Sequence, residues 1–218
     1  MSHPLATALR FTLITWLLCG LGYPLVEVAI NQVLFPAQAN GSLIRVQGRV
    51  IGSRLIEQAF TGPRWFHGRP SAVHMNPTQS GASNLGPLSR RLARHLARRR
   101  ARLVAQHPSL AGRRLPADMI TSSGSGLDPD ISPANAYLQA RWVARARDVP
   151  LARLRALVGR HIQGPWLGLF GQARVNVLAL NLALSRVGHT RRARMGMDRP
   201  ERGHRGRRSV RGHERTSG

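Results

Sequence analysis

The chain has 218 residues, a formal net charge of +24 and 42% hydrophobic content, enough for one folded domain with appendages. All 33 basic residues are Arg, which excludes chemistry built on a phosphate-loop lysine or a Schiff-base lysine. The one cysteine, Cys19, lies in an apolar run, so no internal disulfide is available.

Residues 11–30 read FTLITWLLCGLGYPLVEVAI, with Glu27 as the only charge. About 20 predominantly apolar residues suffice for a helix to cross a bilayer. Three readings compete: a transmembrane anchor over 11–33 behind a short segment 1–10, a signal peptide cleaved after Ala37-Gln38-Ala39, and a buried core helix. The late cleavage position and the thin basic region, Arg10 alone, favour the anchor. Orientation stays open at this point. Arg45, Arg49 and Arg54 follow the span, yet long domains translocate largely regardless of charge.

The remainder, 34–188, reads as one α+β domain. Residues 42–51 alternate as a strand, and 54–60 fit a short helical piece. A Gly-, Pro- and Ser-rich loop fills 61–85. A helix is predicted over 87–106, with Leu88, Leu92, Leu96 and Leu103 as its apolar stripe. Its other faces carry Arg90, Arg91, Arg94, Arg98, Arg99, Arg100 and Arg102. Further helices are predicted over 133–147, with Ser132 as N-cap, over 150–159, and over 177–184. From 189 to 218 the chain is Gly- and Arg-rich, carries +7 and lacks apolar periodicity, which predicts a disordered basic tail.

Reactive motifs are missing. There is no Gly-x-Ser-x-Gly, His-Glu-x-x-His, paired Cys-x-x-Cys or Asp-Lys-Thr-Gly sequence. His67 and His74 read as surface or packing histidines before they read as a metal pair. Asp128-Pro129-Asp130 reads as a turn with capping duties, and 122–126 (SSGSG) as a tight turn ahead of an anion nest. The Arg-rich face of 90–102 suits a solvated surface or an acidic partner. Nucleic acid is disfavoured, since no aromatic lies there to stack on bases.

Six phrases in order carry a resemblance. They are Ala39–Ile44 with Gly52-Ser53-x-Leu55-Ile56-x-Gln58-x-Phe60, then Trp65-Phe66-His67-Gly68-Arg69-Pro70-Ser71-Ala72. Next come Ser80-Gly81-Ala82-Ser83-Asn84-Leu85-Gly86-Pro87 and Ser123-Gly124-Ser125-Gly126-Leu127-Asp128-Pro129. Ile131-Ser132-Pro133 and Val175-Asn176-Val177-Leu178-Ala179-Leu180-Asn181 complete the set. Together, over roughly 8–186, the chain resembles the C subunit of the bacterial high-affinity potassium-transporting ATPase, the Kdp complex. It differs from the family pattern at Glu57, Asp130 and Gln172, and in the spacing of Gln139 from Arg141.

The resemblance implies a single-pass anchor in the bacterial plasma membrane, N-terminus cytoplasmic and main domain extracytoplasmic. It implies a non-catalytic accessory subunit beside a channel-like potassium-binding subunit and a P-type ATPase subunit. Its implied role is a catalytic chaperone that raises the pump subunit's affinity for ATP. ATP enters indirectly, and potassium is transported without binding this chain. The resemblance relates Gln139 to nucleotide. It gives docking or structural roles to Phe66, Gly68, Arg69, Pro70, Ser71, Ser83, Asn84, Gly86, Ser123, Gly124, Ser125, Gly126, Leu127, Asp128, Pro129, Ser132, Arg141, Asn176 and Asn181. The alternative is a membrane-anchored, Arg-rich binder of polyanions.

Overall fold

The computed structural model describes residues 4–197. It opens with one continuous helical rod, α1 (Pro4–Leu17), a π-helical turn (Leu18–Gly22) and α2 (Tyr23–Leu34). Pro24 has no N–H to give, and Tyr23 N donates instead to Leu18 O, the wider spacing of a π-turn. The rod holds 31 residues, none of them buried against the domain. At 1.5 Å per residue it is about 46 Å long, more than a hydrocarbon core of about 30 Å requires. The helix is already formed at Pro4, ahead of residue 11, where the anchor is expected to begin. The apolar face simply continues through Leu5 and Leu9, while residues 1–3 lie outside the described part.

After a single turn, α3 (Pro36–Ala39), the chain enters a hairpin of β1 (Leu43–Val46) and β2 (Arg49–Ser53). The sequence reads one strand here. The structure folds it back at Gln47 and Gly48, whose φ angles of 49° and 77° give a two-residue hairpin turn. The predicted helix over 54–60 does not form. Ser53 Oγ accepts from Leu55 N, Gln58 Nε2 donates to Ile51 O, and Glu57 N donates to Leu127 O, so tertiary hydrogen bonds displace local ones. Segment 54–89 contains no helix or strand.

Helix α4 (Arg90–Gln106) begins three residues later than predicted, because Ser89 caps it by accepting from Leu92 N. Leu88 therefore leaves the stripe and stands 98% exposed, while Leu92, Leu96 and Leu103 are half-buried. Helix α5 (Pro133–Arg147) matches its prediction at both ends. Ser132 Oγ accepts from Asn135 N, and Asp148 closes the helix at φ 54°. Helix α6 (Leu151–Arg160) follows directly.

A small antiparallel sheet, ordered β3 (Asp130–Ile131), β5 (Arg174–Asn176), β4 (Ile162–Gln163), joins these helices to α7 (Val177–Met197). Helix α7 runs to Met197, past the predicted stop at 184 and into the predicted tail. Residues 198–218 of that tail lie outside the described part. The core is built from one face each of α5, α6 and α7 with the sheet: Ala140, Val143, Leu154, Val158, Val175, Leu180 and Leu184, closed by Phe66 from the long loop. This is the expected α+β domain, its helices packed on one small sheet.

Candidate functional site

Two buried amides grip the backbone of the 65–71 loop. Asn181, on α7, accepts from Phe66 N at 2.9 Å and donates to Phe66 O at 2.9 Å. Gln139, on α5, does the same to His67, accepting from N at 2.8 Å and donating to O at 2.8 Å. Gln139 Nε2 also donates to Asn135 Oδ1 at 2.9 Å. Phe66 is fully buried between these amides, so its ring and its backbone anchor the loop together. At the far end of α5, Arg147 lies over the Trp65 ring at 4.3 Å and donates to Arg64 O at 2.6 Å.

The next residues of the loop bind the 121–128 turn. Arg69 Nη1 meets Asp128 Oδ2 at 3.1 Å, and Nη2 reaches Ser122 O at 3.3 Å. Pro70 O accepts from Ser123 N, Ser71 Oγ donates to Gly126 O, and Gly81 N donates to Ser125 O. Gly126 has φ +71°, and a Cβ there would sit 2.6 Å from Val73 and 2.8 Å from Gly81 O, so only glycine fits. Arg99 of α4 closes the turn from outside through Ile120 O and Ser122 Oγ, both at 2.9 Å. The 122–126 turn is thus an interlocked turn. Ser123 N, which an anion nest would need free, is already donated to Pro70 O.

Asp118 organises the start of α5, accepting from Ser132 N at 2.7 Å, Ser132 Oγ at 3.0 Å and Asn135 Nδ2 at 2.9 Å. Asp128 caps its own turn by accepting from Asp130 N at 3.1 Å. Asp130 pairs with Arg174 at 3.0 Å and accepts from Asn176 Nδ2 at 3.1 Å. Burial nevertheless pushes the Asp130 carboxyl up, against the pull of Asn176 and Arg174. Asn176 also donates to Arg54 O and caps α7 by accepting from Ala179 N.

Glu57 stands in the middle of this frame, only 3% exposed. Among the described residues, neither of its carboxylate oxygens has a hydrogen-bond partner. It lies against the Cα of Gly68, where any side chain would collide with it. Burial, and then the nearby Asp128, raise its pKa to about 7, against the pull of Arg69.

Gln139 also lines a cavity of about 590 Å³ with His67, Gly68, His107, Asn135 and Trp142. His107 stacks on Trp142 at 4.1 Å. Burial pushes both histidines below their ordinary pKa, and in His67 the facing His107 adds to the effect. No arginine lines this cavity among the described residues, so a triphosphate would meet no cation there. The Gln139 amide is engaged at both ends. Among the described residues there is also no group of three or more His, Cys, Asp or Glu able to hold a metal ion.

A model of the K+-transporting ATPase c chain, KdpC, matches residues 5–186. The chain belongs to the KdpC family. It is 46% identical over 184 residues to a KdpC subunit of Caldanaerobacter subterraneus subsp. tengcongensis, covering 84% of this chain and 95% of that one. A KdpC subunit of Caulobacter vibrioides is 51% identical over 187 residues, covering 84% and 93%. That of Gloeobacter violaceus is 47% identical over 184 residues, covering 84% and 96%.

In this chain, most of the residues singled out from sequence converge. Phe66, Gly68, Arg69, Pro70, Ser71, Ser123, Ser125, Gly126, Leu127, Asp128, Pro129, Ser132, Asn176 and Asn181 share the frame, with Gln139 at its edge. Ser83, Asn84, Gly86 and Gly124 are exposed beside it. Arg141 is exposed on α5 and lines a separate groove with Arg145 and Asp148. Sequence reasoning missed Asp118, Asn135 and the bonds of Arg99. A lone Asp between a proline and an apolar pair gives no periodic signal, and Arg99 looks in the sequence like one more solvated arginine.

Proposed function

We propose that this chain is the non-catalytic accessory subunit of an ATP-driven, high-affinity potassium uptake complex. Helix α1–α2 anchors it in the bacterial plasma membrane, N-terminus cytoplasmic, with the domain from residue 34 extracytoplasmic. It assembles with a channel-like potassium-binding subunit and a P-type ATPase subunit, and raises the affinity of the latter for ATP. The nucleotide stays on the pump subunit. The coupling runs through subunit contacts as a linkage free energy, with the motif loops as docking or structural surfaces.

One observation carries the reading beyond family membership. Most polar groups of the motif residues are used on one another, in bonds such as Arg69 to Asp128, Asn181 to Phe66 and Ser71 to Gly126, and among the described residues these bonds set no nucleophile against a base. Such a frame shapes a surface.

The test is affinity purification of the tagged chain from detergent-solubilised membranes of potassium-starved cells. Two co-eluting subunits, one polytopic and one a P-type ATPase, are expected, and a deletion strain is expected to fail at micromolar potassium. A second reading, polyanion binding, is favoured by Arg91, Arg94, His95 and Arg98, which share one face of α4. Elution of the chain alone or with nucleic acid, with steep loss of binding as salt rises, would put that reading first.

A further inference from the structure

The connection from β4 to β5 ends in an apolar tip that the domain does not cover. Trp166 is 69% exposed, Leu167 71%, Leu169 81% and Phe170 62%. The tip is a built turn. Trp166 N donates to Phe170 O at 2.8 Å, Phe170 N returns the bond at 2.9 Å, and Leu169 N donates to Trp166 O at 3.1 Å. Leu167 is held at φ 53°, a left-handed conformation that bulky residues adopt rarely, and Gly168 follows at φ 75°. The two rings sit 5.8 Å apart. From Ile162 to Ala173 no residue is charged, and exposed Arg160 and Arg174 flank the segment.

We propose that this tip inserts into the interfacial layer of the lipid bilayer that the chain's own helix crosses. Trp166 and Phe170 sit at headgroup level, with Leu167 and Leu169 at the acyl boundary. The proposal rests on reading the Pro4–Leu34 rod as a membrane span. Two observations and one consequence of the anchor select lipid as the occupant. First, two aromatics beside two leucines, with exposed Arg160 on one side, match what the interface accepts: amphipathic rings at headgroup depth, aliphatic groups below, a cation toward anionic lipid.

Second, the tip is tied closely to the point where the chain leaves the rod. Arg54 N donates to Ser42 O, and Asn176 Nδ2 donates to Arg54 O, so the C-terminal end of β5 is fastened beside the rod's exit. Phe170 precedes Asn176 by only roughly six residues, a reach of about 20 Å at 3.3 Å per residue. Third, the covalent anchor makes insertion intramolecular, so four apolar side chains with little affinity of their own are enough.

The test places an environment-sensitive NBD probe at Leu169→Cys in a Cys19→Ser background. The full chain is reconstituted in phosphatidylcholine–phosphatidylglycerol vesicles. Leu169 is exposed, so the label does not disturb the core. The expected result is blue-shifted emission, quenched several-fold more by a lipid with a nitroxide high on its acyl chain than a probe at exposed Ala105→Cys. Trp166→Ser together with Phe170→Ser should reduce that quenching toward the Ala105→Cys value.

A probe on native Cys19 in the parent chain reads the span itself, through deep nitroxide lipids. If Cys19 is quenched and Leu169→Cys responds only to aqueous iodide, the tip proposal is overturned while the anchor stands. If Cys19 is not quenched, the anchor reading fails and the proposal with it. Shielding at Leu169→Cys without nitroxide quenching, appearing only when other membrane subunits are co-reconstituted, would make the tip a protein-docking surface and overturn insertion.

Discussion

A carboxyl group buried without hydrogen-bond donors favours its neutral form, and Glu57 does so beside a second carboxylate, Asp128. Its folded-state value near 7 lies above the ordinary 4.5, so the folded chain holds a proton that the unfolded chain has already released. Its contribution to stability is therefore complete below about 4.5, falls as pH rises to about 7, and is level above that. His67 and His107, pushed down, act oppositely, because the unfolded chain takes up protons first as pH drops below the imidazole range. The parent's own pH curve thus mixes opposing slopes, and a difference isolates Glu57. Glu57→Gln should be more stable than the parent by about 1–3 kcal/mol above pH ~8, since a tenfold change in proton affinity is worth roughly 1.4 kcal/mol. The gap should close near pH 4.5. Urea midpoints across that range measure it, and a gap that does not vary with pH would contradict the assignment. Its burial is not legible in the sequence, where Glu57 shows as a charge in a short helical pattern and as a departure from the family pattern. Its burial is set by Gly68, Asp128 and Leu127, all distant along the chain.

Helix starts are legible where a cap stands next to a proline, and strands are not. Ser132-Pro133 places the first residue of α5 correctly because cap and proline are local signals. The 42–51 alternation runs unbroken through Gln47-Gly48, and a two-residue turn preserves the alternating period on both sides. The hairpin therefore reads as one strand until the two positive φ angles are seen. What stabilises α5 beyond its cap is Asp118, which holds both Ser132 and Asn135. Ser132→Ala should cost about 1 kcal/mol, the usual value of an N-cap. Asp118→Ala should cost more, about 2–3 kcal/mol, since it leaves half-buried donors unpaired. Thermal unfolding of the two variants checks the order, and equal losses would reduce Asp118 to a surface carboxylate.

The domain as a whole depends on two amides from different helices closing on one loop. Phe66 and His67 are held by residues 115 and 72 positions away, and segment 54–89 has no helix or strand of its own. Gln139→Ala and Asn181→Ala should each cost about 2–4 kcal/mol, through buried backbone groups left without partners. Because both free the same loop, the double variant should lose less than the sum. A double-mutant cycle, with hydrogen exchange at Phe66 and His67, is the measurement, and strict additivity would mean the clamps work independently. The α+β class and the motif residues are visible in the sequence. That the motifs bond to one another is not, because those bonds span the chain.

The distance between clamp and loop also dictates an order of events. Asn181 lies 115 residues after the Phe66 backbone that it grips. During synthesis the 54–89 loop is made early, yet the Phe66 backbone has no side-chain clamp until α7 has emerged. If the domain crosses the membrane amino end first, its aromatic pair Trp65 and Phe66 waits on the far side as an open chain, and α7 completes their hold. Such a domain does not mature piecemeal. Truncations anywhere before Asn181 should yield an unfolded anchored chain, the form that a surveillance protease in that compartment would recognise first.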